Sequence, residues 1–315
     1  MRFLITGASG FIGKNLIEKL HGKHYLRALV RKKSNPKDID FLKKNKVDIH
    51  YGDLLDPPTL TGLADNIDVV IHLAGRLGGY ISQNELKKIH IEGTKNLLSV
   101  CKTQKFIYCS SAGVLGPVEG GNEESTPRPT NAYEKAKLEA ENLVRSYPKH
   151  VILRPEFVYG PHDKHVLKLF RAIKEQKFYK IGNGQSMMHP TYVGDLVSSI
   201  EAVTNKSLVN DTFLIAGERP VAVKELYFLV ASQLGLSPKN VFIPKIIARL
   251  YSTTIAKVLE SMGINPILTK SRYDFFTKSR TFSSKRAIST LDYEPIKLEE
   301  GLKRTINWYK KEGLL

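Results

Sequence analysis

A chain of 315 residues, 42% hydrophobic and 25% charged, has the size and balance of one large or two modest globular domains, which excludes long disorder, collagen-like repeats and a fibrous rod. Its 48 Lys and Arg against 31 Asp and Glu leave a formal charge of +17, a field that attracts anions; the cations are scattered, however, and no zinc-finger spacing, basic heptad or RNA-binding aromatic motif accompanies them, so no nucleic-acid partner is expected. No apolar run approaches the roughly 20 residues of a spanning helix, and Cys101 and Cys109 form neither a metal spacing nor a disulfide framework.

The chain opens on a strand, Arg2–Thr6, and a glycine loop, with no basic segment leading into an apolar stretch. This reads as an unprocessed cytoplasmic protein whose two cysteines are small buried residues. Further apolar runs at Tyr25–Val30, Val47–Tyr51, Val69–Leu73, Phe106–Ser110 and Val151–Arg154 predict strands. Helices are expected at Phe11–Leu20, briefly near Pro57, within Ser82–Lys102 and over Ala132–Ser146. The alternation predicts an α/β protein with a Rossmann-type, doubly wound parallel sheet over residues 1–160. Residues 161–315 read as a smaller, mostly helical lobe for substrate, with Thr212–Ala216 a strand that rejoins the main sheet. Within this lobe Ile243–Met262 predicts an amphipathic helix, expected to pack on the lobe through its apolar face, with contact to an anionic membrane surface as the lesser alternative.

The segment FLITGASGFIG sets Gly7, Gly10 and Gly13 between a strand and a helix. Glycine at the first position permits a tight turn, at the second a close approach of backbone to a pyrophosphate, and at the third close packing of helix on sheet. With the positive end of the helix behind it, the loop predicts a dinucleotide site formed by Gly7, Ser9, Gly10, Phe11, Ile12 and Gly13. The second strand ends in ALVRKKS, so Arg31 stands where an acidic residue would bind the ribose hydroxyls of NAD. A cation there suits a ribose phosphate: NADP is the favoured cofactor and NAD the alternative.

Tyr133 and Lys137 lie four apart in a predicted helix, hence on one face. A free phenol titrates near pH 10, too high for efficient proton transfer at neutrality, and an ammonium beside it is expected to lower that value. Ser110 and Ser111 end the strand FIYCS, where a hydroxyl can hold a substrate oxygen at the carboxyl edge of the sheet. Together with GDLLD, VIHLAG, IHIEGTKNLL, CSSAGVLG, LRPEFVYGP, HPTYVGDLV and FLIAGERPVAVKEL, the glycine loop and YEKAK make nearly the whole chain resemble the extended short-chain dehydrogenases/reductases of the NAD-dependent epimerase/dehydratase family. The resemblance implies that Ser111, Tyr133 and Lys137 are catalytic. It also implies that Asp53, Leu54, Leu73, Ala74, Gly75 and Pro155 line the cofactor with Tyr133 and Lys137, and that the protein is a homodimer.

His90 stands where relatives commonly have Asn, and a hydrogen-bonded helix histidine is expected there. No carboxylates adjoin Ser111 in the pattern of sugar dehydratases, so dehydration ranks low. The expected activity is hydride transfer to or from a secondary alcohol or ketone of a nucleotide-linked sugar, with Tyr133 as general acid/base and Arg154, Lys164, Lys168 and Arg171 as candidate diphosphate ligands. The alternative substrate is a hydrophobic ketone or alcohol, as in hydroxysteroid dehydrogenase and flavonol reductase relatives. A non-catalytic NADP-binding sensor ranks last, since Tyr133 and Lys137 are both present.

Overall fold

A computed structural model describes residues 1–77, 81–102, 104–238, 241–264 and 266–315. Seven parallel strands form the central sheet: β1 (Arg2–Thr6), β2 (Tyr25–Val30), β3 (Asp48–Tyr51), β4 (Val69–His72), β5 (Lys105–Cys109), β6 (His150–Pro155) and β7 (Asp211–Ile215). Their order is β7-β6-β5-β4-β1-β2-β3. The chain runs outward from β1 to β3 and then returns to build the other half from β4, so the strand order reverses between β1 and β4. A crevice opens there at the carboxyl ends of the strands.

Both faces of the sheet are covered, which is why its inner strands are apolar runs rather than alternating ones. On one face α1 (Phe11–Leu20) buries Leu16, Ile17 and Leu20 against Phe3, Ile5 and Ala28. A second helix, α2 (Pro36–Lys44), was not expected from the sequence, although Asn35 caps it by accepting from the Lys37 amide at 2.9 Å and Pro36 opens it. It is short and fully buries only Leu42, too little for an apolar period to register. On the other face lie α3 (Gln83–Lys87), a π-helical turn at Lys88–Glu92 and α4 (Gly93–Val100), then α5 (Ala132–Arg145). There Leu97, Ala140 and Val144 pack on Leu4, Val70 and Phe106.

The remaining helices are α6 (Val166–Lys174), α7 (Val193–Asn205), α8 (Val223–Gln233), α9 (Lys245–Leu250), α10 (Ala256–Ser261), α11 (Lys270–Thr277), α12 (Lys285–Leu291) and α13 (Leu298–Lys311). Of these, α7 belongs to the sheet: Leu196, Val197, Ile200 and Val203 complete the core beneath α1. A second apolar core unites α6, α8 and α13 through Phe170, Leu226, Val230, Leu302 and Tyr309. The expected helix over Ile243–Met262 forms as α9, a π-helical turn at Tyr251–Ile255, and α10, but with its apolar face turned outward. Its buried side chains are Ala248, Ser252 and Ala256, while Leu250, Ile255 and Val258 are exposed. Small residues permit a close approach to the lobe, so that ridge, rather than the large aliphatics, makes the contact. Among the described residues no helix is long and apolar enough to cross a membrane.

Candidate active site and cofactor cradle

The loop after β1 has the geometry its glycines call for. Gly7 adopts φ +73°, and a Cβ there would lie 2.7 Å from the Ala74 amide nitrogen. A Cβ on Gly13 would stand 2.3 Å from the Gly7 carbonyl oxygen, so the helix lies against the turn as closely as backbone allows. Helix α1 begins at Gly10 with no side-chain cap and no acidic residue in its first turn. Its amide groups and positive dipole end are left open to a pyrophosphate. These features fit a dinucleotide, with Ser9, Phe11 and Ile12 partly buried around the turn.

Around this cradle stand the other residues expected to hold the cofactor. Arg31 directly follows the last residue of β2, is exposed, and forms no ion pair among the described residues. The Asp53 carboxylate accepts from the Leu55 amide at 3.0 Å, and the Leu54 carbonyl accepts from Asn96 at 2.8 Å, which fixes the loop after β3. Leu73, Ala74 and Gly75 leave the end of β4, and Pro155 ends β6.

A chain of hydrogen bonds ties these strand ends together. The Ala74 amide donates to Thr6 Oγ1 at 3.2 Å, and Thr6 Oγ1 lies 2.6 Å from His72 Nδ1. On the far side, Thr94 Oγ1 donates to the His90 carbonyl at 2.5 Å and lies 3.0 Å from His72 Nε2. Each hydroxyl has one proton to give, so Thr94 must accept from His72 Nε2–H and Thr6 must donate to Nδ1. Burial lowers the His72 pKa to about 3, keeping the ring neutral in that tautomer.

The catalytic candidates converge on α5. Asn131 caps the helix by accepting from the Glu134 amide at 2.9 Å, while the Glu134 carboxylate reaches back to the Thr130 amide at 2.6 Å. This reciprocal capping fixes the first turn, which carries Tyr133. Ser111 caps the short 3-10 turn Ala112–Leu115, its hydroxyl accepting from the Gly113 amide at 3.1 Å. A Cβ on Gly113 would meet Glu134 Cγ at 3.2 Å, so the serine turn lies directly on the first turn of α5. Ser110, by contrast, is buried, and its hydroxyl has no partner among the described residues. Lys137 is buried and donates from Nζ to the Cys109 carbonyl at 2.6 Å and to the Tyr108 hydroxyl at 3.3 Å.

The electrostatics differ from the sequence expectation at one point. Tyr133 is raised above the ordinary phenol value, first by burial and then by Cys109, Glu134 and Glu156, rather than lowered by Lys137. Burial also pulls Lys137 itself down to about 8. The ammonium is directed at the Cys109 carbonyl, where its charge is spent on a backbone dipole. His90 meets its expectation in part: its Nε2 bonds the Arg76 carbonyl at 3.0 Å, while its buried Nδ1 has no partner among the described residues, and its ring meets Tyr133 edge-on with centroids 5.4 Å apart. Burial and then the Lys137 charge bring it to about 4, so it is neutral.

Two features of the site had no signal in the sequence. Glu156, one residue past β6, is buried, and its carboxyl is pushed up to about 7 by burial, with Glu134 raising it and Arg280 opposing. Arg280, from the segment between α11 and α12, is buried against Glu134 at 3.0 Å. Both depend on a contact between residues far apart in the chain. Of the expected diphosphate ligands, Arg154 is buried in a two-pronged pair with Glu141, at 2.9 and 2.6 Å. Lys164, Lys168 and Arg171 are exposed at the start and on the outer side of α6, where Arg171 bonds the Leu314 carbonyl at 2.9 Å. The four do not gather into one cluster.

Comparison with known proteins agrees with this construction. Residues 3–216 match the NAD dependent epimerase/dehydratase family. The chain is 27% identical to a decarboxylating sterol-4-alpha-carboxylate 3-dehydrogenase of Candida albicans, covering 98% of this chain and 97% of that one. It is 28% identical to an uncharacterised UDP-glucose epimerase of Bacillus subtilis, over 84% of this chain and 93% of that one. The fold is that of UDP-glucose 4-epimerase from Thermotoga maritima, solved with UDP-glucose, with a TM-score of 0.80, 24% identity and 99% of each chain covered. It is also that of a UDP-glucuronic acid 4-epimerase from Bacillus cereus, solved with UDP-glucuronic acid and NAD, with a TM-score of 0.79 and 23% identity over 99% of this chain and 100% of that one. The family match spans more than half of the chain and coincides with the glycine cradle and the Tyr133–Lys137 helix. The protein is therefore an enzyme of the extended short-chain dehydrogenase/reductase type, and it belongs to the NAD-dependent epimerase/dehydratase family.

Proposed function

We propose that the protein is an NAD(P)-dependent oxidoreductase that moves hydride to or from a secondary alcohol or ketone, with Tyr133 as general acid/base. The observation that carries this reading is the place of Tyr133, on the first turn of α5 against the serine turn and in ring contact with His90, which abuts Gly75 of the cofactor cradle. When bound, the nicotinamide supplies or accepts the hydride. Ser111 holds the substrate oxygen, Tyr133 gives that oxygen its proton during reduction or takes it during oxidation, and Lys137, anchored on the Cys109 carbonyl, holds the cofactor ribose. Gly7, Gly10 and Gly13 admit the pyrophosphate. Arg31 faces the adenine ribose and favours NADP, with NAD the alternative.

For the substrate, the structure best supports an apolar ketone or alcohol. Phe157, two residues past β6 and held at φ +28°, packs against Phe275 of α11 with ring centroids 5.4 Å apart, and Phe275 packs on Phe276 at 5.3 Å. These partly buried rings, packed on the second core, bring apolar surface to the carboxyl edge of the sheet. The relationship to a sterol-4-alpha-carboxylate dehydrogenase supports the same class. A nucleotide-linked sugar is the second reading, favoured by the relationship to a UDP-glucose epimerase.

The test combines a nucleotide shift with turnover. No change in melting temperature with UDP or dTDP, together with oxidation of an apolar secondary alcohol, is the expected result. Protection by UDP would instead establish the sugar reading. In the same assay Arg31→Asp is expected to move the NADP/NAD preference toward NAD by at least about tenfold, the worth of one charged hydrogen bond. An unchanged ratio would remove Arg31 from the cofactor site.

A further inference from the structure

Ten of the seventeen large apolar side chains exposed among the described residues lie between Val241 and Ile267. The concentration has a definite cause in the way α9 and α10 pack. Ala248, Ser252 and Ala256, spaced four apart, form the ridge that touches the lobe. Large aliphatics are thereby turned to solvent: Ile246 is 78% exposed, and Ile247, Leu250 and Val258 are each more than half exposed. The strand Phe242–Ile243 before the helix adds Phe242, and the turn after it adds Ile267 at 85%. An ordinary surface helix buries this stripe and shows its polar side. Here the order is reversed, and the apolar ridge projects outward rather than lining a groove.

The charges on the same helix select the occupant. Lys245, Arg249 and Lys257 stand on it against a single carboxylate, Glu260, and none of the four is ion-paired among the described residues. A second copy docked by two-fold symmetry would bring this set of cations against itself with almost no carboxylate to answer it. A negatively charged partner avoids that repulsion, and the +17 charge of the whole chain draws it in. A projecting aliphatic ridge flanked by Lys and Arg, on a helix too short to span, matches the interface of an anionic bilayer, where aliphatics enter the acyl boundary and cations meet lipid phosphates.

We propose that the face formed by Phe242, α9 and α10 docks this protein on anionic phospholipid membranes. Helix α9 and its π-helical turn pack against α11, the helix that carries Phe275. The proposal does not depend on which substrate the site takes.

Flotation with liposomes tests it without any enzymatic assay. The full chain is expected to float with vesicles of phosphatidylcholine and phosphatidylglycerol, and at least about tenfold less with phosphatidylcholine alone; about 0.5 M salt should weaken the binding. Two surface variants separate the contributions. Ile247→Glu with Leu250→Glu removes apolar insertion, and Arg249→Glu with Lys257→Glu reverses the charge. Each is expected to lower recovery with anionic vesicles by at least about tenfold, since each change removes more than the 1.4 kcal/mol that a factor of ten represents. Circular dichroism and NADPH binding should stay as in the parent. Equal flotation with neutral vesicles overturns the proposal, as does binding that survives both variants. It is also overturned in favour of a second copy if the parent fails to float but self-associates in sedimentation velocity while Ile247→Glu with Leu250→Glu stays monomeric.

Discussion

At neutral pH the Tyr133 phenol carries its proton, because burial and the neighbouring Glu134 and Glu156 carboxyls raise it above its ordinary value. A protonated phenol is ready to donate, so the kcat of ketone reduction is expected not to rise with pH. Alcohol oxidation needs the phenolate, whose fraction grows about tenfold per pH unit below its pKa. The oxidative rate should therefore climb through the alkaline range, and a pH–rate profile in both directions checks the sign. Tyr133→Phe should lower kcat at least about 100-fold in either direction with cofactor binding retained, the low end of what a positioned acid or base supplies. An unchanged kcat would move the acid/base role elsewhere, with His90, in ring contact with Tyr133, the first residue to examine. That Tyr133 and Lys137 share one helix was legible in the sequence, because a spacing of four on a helix is a local fact. The direction of the tyrosine shift was not: it follows from burial, from where the lysine amine points and from Cys109 and Glu156, which only the folded chain brings near.

Helix α5 buries three charged side chains, Glu134, Lys137 and Glu141, and gives each a partner from a different element. Glu134 meets Arg280, Lys137 meets the end of β5, and Glu141 holds Arg154 of β6 in a two-pronged pair. The pairs fix the helix in rotation and height over the sheet, which is what places Tyr133. Removing one member leaves the other charge buried and uncompensated. Glu141→Ala is therefore expected to cost about 3–5 kcal/mol by urea denaturation, the usual penalty for breaking a buried pair. A loss below about 1 kcal/mol would show that water reaches Arg154 and takes up the role of the lost carboxylate. Elements with strong apolar periods were legible to within a residue at each end: α5 was expected over Ala132–Ser146 and forms over Ala132–Arg145. The π-helical turns at Lys88–Glu92 and Tyr251–Ile255 were not, since helical periodicity does not show a single widened turn. The outward ridge of α9 and α10 was missed for a related reason. Periodicity locates an apolar face, but which face packs depends on the small residues opposite it and on the surface they meet.

Across the whole molecule, the two halves expected from the sequence do not fold as separate units. Strand β7 comes from the second half yet pairs with β6 over Asp211–Ile215, and α7 supplies Leu196, Ile200 and Val203 to the core under α1. Residues 1–160 alone would expose that core surface and leave β6 as an open edge with unpaired backbone groups. We expect the 1–160 fragment to lack cooperative unfolding and to aggregate. The full chain is expected to unfold in a single transition. Trp308, the one tryptophan, lies in α13, meets the His162 ring at a tilt with centroids 4.7 Å apart and packs on the second core, so its fluorescence reports on that core. Far-UV circular dichroism reports on the sheet and its helices together. Coincident urea midpoints from the two probes are expected if the shared strand and helix couple the halves. A Trp308 transition well ahead of the circular dichroism one would show instead that the α6–α8–α13 core melts while the sheet stands, and that β7 and α7 fold with the first half alone.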